Sequence, residues 1–352
     1  MIPGGYAALR GAVLIVDTRT ISTIVGYGMA LTPIDEVHAL QIQAGTLGRK
    51  AGHQFEDGMA ASINSFPYPI SVAEIAGHVL RGDPGYLLLS YVARHFGAAQ
   101  VARAVAISTG ALATSEEGKQ WLEVNGVGIS RCKSDIILTI SLDGVREFTV
   151  GVSTKQCNNP TPTNAQLYFT TARGFARLLS ENGIAVSGVA VSALRQFCGD
   201  VGFRPQDNPA ALAGRMSDPR RYFWEEIDPQ GRAEWERLMS CRQDEITKLL
   251  LQKAYLNDPF APDFLIHKTR RAEAWSATEV AIYSMDELIR LSHAYQGFEL
   301  RPYSVRKGSY RDPEGVTHLA PRFGVVQMQR GGQAQHPEQL QFNLEAGYFY
   351  KI

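Results

Sequence analysis

Hydrophobic positions first settle into a regular period near residue 48. In GRKAGHQFEDGMAASIN, Phe55, Met59 and Ile63 recur every four residues, which puts the apolar side chains on one face of a helix and the polar ones on the other. Asn64 and the pair Pro67 and Pro69 stop it. Residues 1 to about 130 read as mainly helical around this element. From Ser134 the period falls to two: SDIILTISLDGVREFTVGVSTKQ contains two β-rich runs joined at Asp143-Gly144, a pair suited to a hairpin turn. Between Asn164 and Glu181, Tyr168, Ala172, Phe175 and Leu179 form one helical stripe, which Asn182-Gly183 closes. Ile184 to Val191 then reads as a third strand.

Four regions follow from this pattern. Residues 1–130 form a mainly helical N-terminal region with the first core helix, 131–204 a mixed core, 205–260 a helical insertion marked by Pro205, Pro209, Pro219 and Pro229, and 261–352 an α+β region. That last region predicts a helix around Ser284 to Ala294 and β-like runs at Gly297–Val305, Arg322–Arg330 and Gln339–Leu344. The expected class is therefore α/β in the broad sense (α+β), a mixed sheet flanked by helices.

Charge alters the picture only locally. The 352 residues carry 35 Lys+Arg and 35 Asp+Glu, which argues against a protein that coats nucleic acid indiscriminately. Arg301 to Gln335, however, has six basic residues against two acidic ones. Apolar runs stay far below the roughly 18 residues of a membrane span, and Cys132, Cys157, Cys198 and Cys241 show neither a CxxC pair nor zinc spacing. A cytoplasmic location and no membrane contact are the expectation. GxSxG, HExxH, an EF-hand loop and GxGxxG after a strand are all missing.

The chemistry lies in the hairpin. Asp135 heads one strand and Ser153-Thr154-Lys155 ends its antiparallel neighbour, so an aspartate and a lysine meet at one edge of the sheet, with residues 153 and 155 on the same face. An aspartate there can hold a divalent cation through oxygen, and a lysine beside it can orient a water, which is the equipment for hydrolysing a phosphodiester. In this the sequence resembles the PD-(D/E)XK nuclease superfamily, and within it the type II restriction endonucleases. The motif is carried by SDIILTI and VSTK, with Ser134 where the family has proline and Ser153 where it has an acid.

The resemblance covers roughly residues 48–191 and implies an α-β-β-β-α-β core in which the missing acid comes from elsewhere. Glu56, on the flank of the Phe55/Met59/Ile63 helix, is the replacement. The implied site has Asp135, Glu56 and the Thr154 carbonyl around Mg²⁺, Lys155 on the attacking water, and Ser153 as a spacer or water-holding hydroxyl. Double-stranded DNA as substrate, a homodimer reading a palindrome, and a cognate DNA methyltransferase as genetic partner are implied in the same way. A repair or modification-dependent nuclease, and a non-catalytic DNA-binding protein on a degraded nuclease core, remain open alternatives.

Recognition residues are expected near the end of the chain. Gln327, Gln329, Arg330 and Gln333 lie in a run of amides, and amide and guanidinium groups can pair with base edges in the major groove. Arg306 and Lys307 suit phosphates, which position the duplex without specifying sequence. Asn158 and Asn159, just after Lys155, are placed to enter a groove beside the cut.

Overall fold

The computed structural model describes residues 53–109, 132–144, 146–213, 218–252, 258, 260–304, 314–330 and 339–351, with short paired strands at 15–17/20–22, 123–124/127–128 and 306–307/310–311. Its centre is a seven-stranded mixed sheet. In chain order the strands are β1 (Ile70–Ser71), β2 (Val79–Gly82), β3 (Gln100–Ser108), β4 (Ile136–Leu142), β5 (Arg146–Gln156), β7 (Pro262–Lys268) and β8 (Thr278–Ser284), and in space they run β1-β3-β4-β5-β7-β8-β2. β4 and β5 form the expected hairpin around Asp143-Gly144, both at positive φ. β7 lies parallel to β5, which requires a long crossover connection.

That crossover builds the second half of the molecule. It starts with β6 (Ala165–Thr171) and contains α3 (Ala172–Glu181), α4 (Gly188–Cys198), α5 (Pro229–Cys241) and α6 (Gln243–Gln252). After β8 and the helix α7 (Met285–Ser292), the chain adds β9 (Phe298–Tyr303), β10 (His318–Phe323), β11 (Val326–Arg330) and β12 (Gln339–Leu344). With β6 these make a five-stranded antiparallel sheet in the order β6-β12-β11-β10-β9.

Strand alternation divides the interior into two cores. On one face of the central sheet, Leu138, Ile140, Val152, Phe264, Ile266 and Ile282 pack against Phe55, Met59 and Ile63 of helix α1 (53–65) and Leu88 and Val92 of α2 (Pro84–His95). On the other face, Leu265, Ala281 and Tyr283 join a larger core with Phe175, Leu194 and Trp235 of the crossover helices and Val326, Met328 and Phe342 of the second sheet. The Phe55/Met59/Ile63 stripe is the face that α1 buries.

Several expectations need correction. Residues up to 130 are not mainly helical where described, because β2 and the nine-residue β3 belong to the central sheet. Ala165–Thr171 is a strand; its Tyr, Phe and Thr residues favour extended backbone, and Thr171 caps the helix with its hydroxyl 3.0 Å from Gly174 N. Ile184–Val191 is not a strand. Residues 184–187 are irregular, and Ser187 caps α4 through Ala190 N. The strand next to β5 is instead β7, more than a hundred residues downstream, so the sheet is not confined to 131–204.

Candidate active site at the strand ends

Three segments distant in sequence meet where β4 begins and β5 ends. Asp135 stands one residue before β4, with its N–H on Val152 O and its carbonyl accepting from Thr109 N, each at 2.9 Å, so both neighbouring strands fix its backbone. Its Oδ2 accepts from Thr154 N at 2.6 Å and Ser153 Oγ at 3.2 Å, and lies 3.6 Å from Lys155 Nζ. Lys155 Nζ donates to Ser153 Oγ at 2.9 Å and to Thr154 O at 2.6 Å. Ser153 thus bridges the aspartate and the lysine.

Thr154 points to the opposite face, toward α1. Its hydroxyl donates to Glu56 Oε1 at 2.9 Å, across 98 positions of sequence. Glu56 is only 7% exposed, and its Oε2 has no hydrogen-bond partner among the described residues. Burial, then the charge of Asp135, pushes the Glu56 carboxyl up to about 7, against the opposing influence of Thr154 and Lys155. A buried carboxylate with an unmet oxygen calls for a proton or a cation.

The local backbone permits this convergence at one close approach. Ser134 Oγ donates to Phe260 O at 2.7 Å, while a Cβ on Gly151 would lie 2.2 Å from Ser134 Oγ and 2.6 Å from Ala261 O. Only glycine lets β5 pass there. Ser134 thereby supplies a side-chain bond that ties the start of β4 to the segment leading into β7.

Two further groups border the site and were not singled out in the sequence. Lys133 Nζ donates to Leu167 O of β6 at 2.7 Å, and its N–H donates to Asp258 Oδ2 at 2.6 Å. Burial and then the charge of Lys155 bring its ammonium down to about 8. His267 is the register partner of Lys155 on β7, is 1% exposed and hydrogen-bonds through Nδ1 with the Tyr350 hydroxyl. Burial and the Lys155 charge lower its pKa to about 3, so it forms a neutral wall beside the lysine. The position of Lys133, two residues before Asp135, was a signal within reach; that of His267 needed the β5–β7 pairing.

The oxygen set fits a hard divalent cation. Asp135 and Glu56 bring two carboxylates, Glu56 Oε2 is unpaired, and Mg²⁺ is characteristically held by one or two carboxylates with the remaining positions left to water and substrate phosphates. Among the described residues no group of three or more His, Cys, Asp or Glu side chains is arranged to hold a metal.

The expected recognition residues are scattered. Asn158 and Asn159 are exposed just past the end of β5; Asn158 Oδ1 accepts from Lys268 Nζ at 2.9 Å and Asn159 O from Arg271 N at 2.9 Å. Gln327 and Gln329 point away from the core on β11, with Gln327 Oε1 accepting from Asn164 Nδ2 at 3.1 Å. Arg330 does not share their face. Alternation puts it with the buried Val326 and Met328, and its guanidinium lies beside Gly199, near Asp218, Arg220 and Arg221. Burial, then Arg221, lowers its pKa to about 10. Arg306 and Lys307 pair with Arg311 and Tyr310 in a two-residue ladder, and Gln333 lies outside the described residues.

Among solved structures, the chain is similar to that of the restriction endonuclease MspI in complex with its cognate DNA, with a TM-score of 0.40 and 10% identity over 73% of this chain and 76% of that one. No protein-family model matches the sequence, and no curated protein matches it. Among the described residues no helix is long and apolar enough to cross a membrane.

Proposed function

We propose that the chain is a Mg²⁺-dependent, site-specific endonuclease that hydrolyses phosphodiester bonds of double-stranded DNA, with a PD-(D/E)XK-type site of the type II restriction class. One observation carries the reading: Asp135, Glu56 and Lys155, from three separate segments, converge on Thr154 with one buried carboxylate oxygen left unmet.

Asp135, Glu56 and the Thr154 carbonyl are the residues that would hold the cation. When bound, Mg²⁺ supplies a Lewis acid for the phosphate and lowers the pKa of water. Lys155 has the remaining tasks. Its ammonium, fixed by Ser153 Oγ and Thr154 O, orients the attacking water and faces the charge that develops on the phosphoryl oxygens. Ser153 keeps Asp135 and Lys155 at a constant spacing, and neutral His267 leaves the lysine as the cation on that face. A homodimer reading both halves of a palindrome, a cognate methyltransferase and a cytoplasmic location belong to the same proposal.

Digestion of one plasmid in Mg²⁺ and in EDTA tests it. Discrete fragments in Mg²⁺ alone are expected. A smear would reject site specificity, and intact DNA that shifts on a gel would reject catalysis.

A further inference from the structure

The outer face of the five-stranded sheet carries a row of side chains that neither core uses. Phe169 on the edge strand β6 is 54% exposed and is the register partner of Gln341 on β12, which in turn partners Gln329 on β11. Gln329 Nε2 donates to Gln341 Oε1 at 3.4 Å, which leaves one amide oxygen and one amide NH₂ at the outer ends of the pair. An aromatic ring next to a coupled donor and acceptor matches a nucleobase, which has an apolar face or methyl group and a hydrogen-bonding edge.

This row is joined to the nuclease site by a direct bond. Lys133, two residues before Asp135, donates from Nζ to Leu167 O, and Phe169 is two residues beyond Leu167 on the same strand. The β6 register shifts between Gln166 and Tyr168, so the lysine is fastened at a bulge, a feature that re-aims neighbouring side chains. Lys133 and Lys155 bring two ammonium groups to the junction, which suits a polyanionic backbone running from the strand ends toward the sheet. Three spans of roughly 7 Å separate Phe169 from Asp135, and a base pair rises about 3.4 Å, so the contacted base lies within ~6 base pairs of the cut.

Resting on the nuclease reading above, we propose that Phe169, Gln341 and Gln329 form a base-reading row for duplex DNA, with Phe169 as the specificity-determining apolar contact. The ring meets a base next to the one whose edge the two glutamines pair.

The test is selection from a pool of randomised duplexes in Ca²⁺, followed by sequencing of the bound fraction, for wild type, Phe169→Ala, Phe169→Leu and Gln341→Ala. Wild type is expected to select a defined sequence. Phe169→Ala and Gln341→Ala should each relax the preference about tenfold or more at one or two adjacent positions, the size of a good base contact. Phe169→Leu keeps an apolar side chain on the strand and should fall between wild type and Phe169→Ala. An unchanged sequence profile in Phe169→Ala and Gln341→Ala overturns the row, as does a change in oligomeric state with the profile intact. The same wild-type protein is then assayed in Mg²⁺. Selection without cleavage defeats the nuclease reading and leaves the row standing, whereas absence of any selection by wild type defeats the row.

Discussion

Two of the clusters of charged side chains among the described residues are finished differently. In the second sheet Arg322 is 1% exposed, bonded to Glu299 and to Gly324 O, 3.9 Å from Glu345 Oε2, and 4.0 Å from the centre of the Tyr348 ring. Arg301 adds a second cation, 2.6 Å from Glu345 Oε1. Two carboxylates there face two guanidinium groups and an aromatic face. At the strand ends two carboxylates face one lysine; Lys155 reaches Asp135 but touches Glu56 only through Thr154, and Lys133 is engaged by Leu167 O. The first cluster is neutralised from within. Each cluster keeps one carboxylate oxygen without a hydrogen-bond partner among the described residues, Glu345 Oε2 and Glu56 Oε2, but Glu345 Oε2 lies 3.9 Å from the Arg322 guanidinium, whereas Glu56 hydrogen-bonds only to the Thr154 hydroxyl, and burial with the charge of Asp135 raises its carboxyl to about 7.

The largest effect expected from disturbing this contrast is on catalysis. Asp135→Asn keeps an acceptor for Thr154 N but removes the charge, and should lower cleavage by more than about 10³-fold, since a metal centre contributes several kcal/mol of charge stabilisation. Initial rates on a defined plasmid in Mg²⁺ measure this, with unchanged circular dichroism as the check on folding.

Arg322→Met should do the reverse. Removing one partner of a buried ion pair costs about 3 kcal/mol, read as a shift of the urea midpoint, while cleavage per folded molecule stays at the wild-type level.

Glu56→Gln separates stability from function. The Glu56 carboxyl rises from 4.5 unfolded to about 7 folded, so the folded state binds more protons between those values and stability falls as pH rises through the window. In EDTA above pH 7 the variant should therefore be more stable than wild type, by roughly 3 kcal/mol at most, with the gain fading toward pH 4.5. Added Mg²⁺ should raise the melting temperature of wild type but not of the variant, by ligand linkage. A variant less stable than wild type at pH 8 would mean that Glu56 already has its counter-charge in the protein.

The smallest effect is expected at Arg330. Because Arg220 and Arg221 already face Asp218, Arg330→Met relieves like-charge repulsion as it removes an attraction, and should change stability by only about 1 kcal/mol while leaving the specific-to-nonspecific binding ratio unchanged. Competition between duplexes in Ca²⁺ gives that ratio, and loss of discrimination would place the guanidinium on DNA.

Legibility in the sequence followed the range of the interactions. The β4–β5 hairpin and the α1 stripe are local, and with them came Asp135, Ser153, Lys155 and Glu56 as one group, because a hairpin register and a helix period can be counted along the chain. β7 could not be counted. Its pairing with β5 spans a crossover of about a hundred residues, and the alternative, Ile184–Val191, is richer in β-branched residues (four against one in β7) yet has no partner strand. His267 went unseen for that reason. Arg330 was grouped by composition: in a run of amides it reads as one of them, whereas the period of two puts it on the core face. Phe169 was hidden by an error of period, since a helical stripe through Tyr168 leaves no reason to examine the residue beside it.

The central claim is that Lys155 acts on a phosphodiester bond at this site. Its most direct test is single-turnover cleavage of a plasmid in Mg²⁺ by Lys155→Ala beside wild type, at protein concentrations that give equal DNA binding in Ca²⁺. The expected result is retained binding with cleavage reduced about 10²–10⁴-fold, the worth of a positioned proton-transfer group. Cleavage by Lys155→Ala within a few-fold of wild type would contradict it.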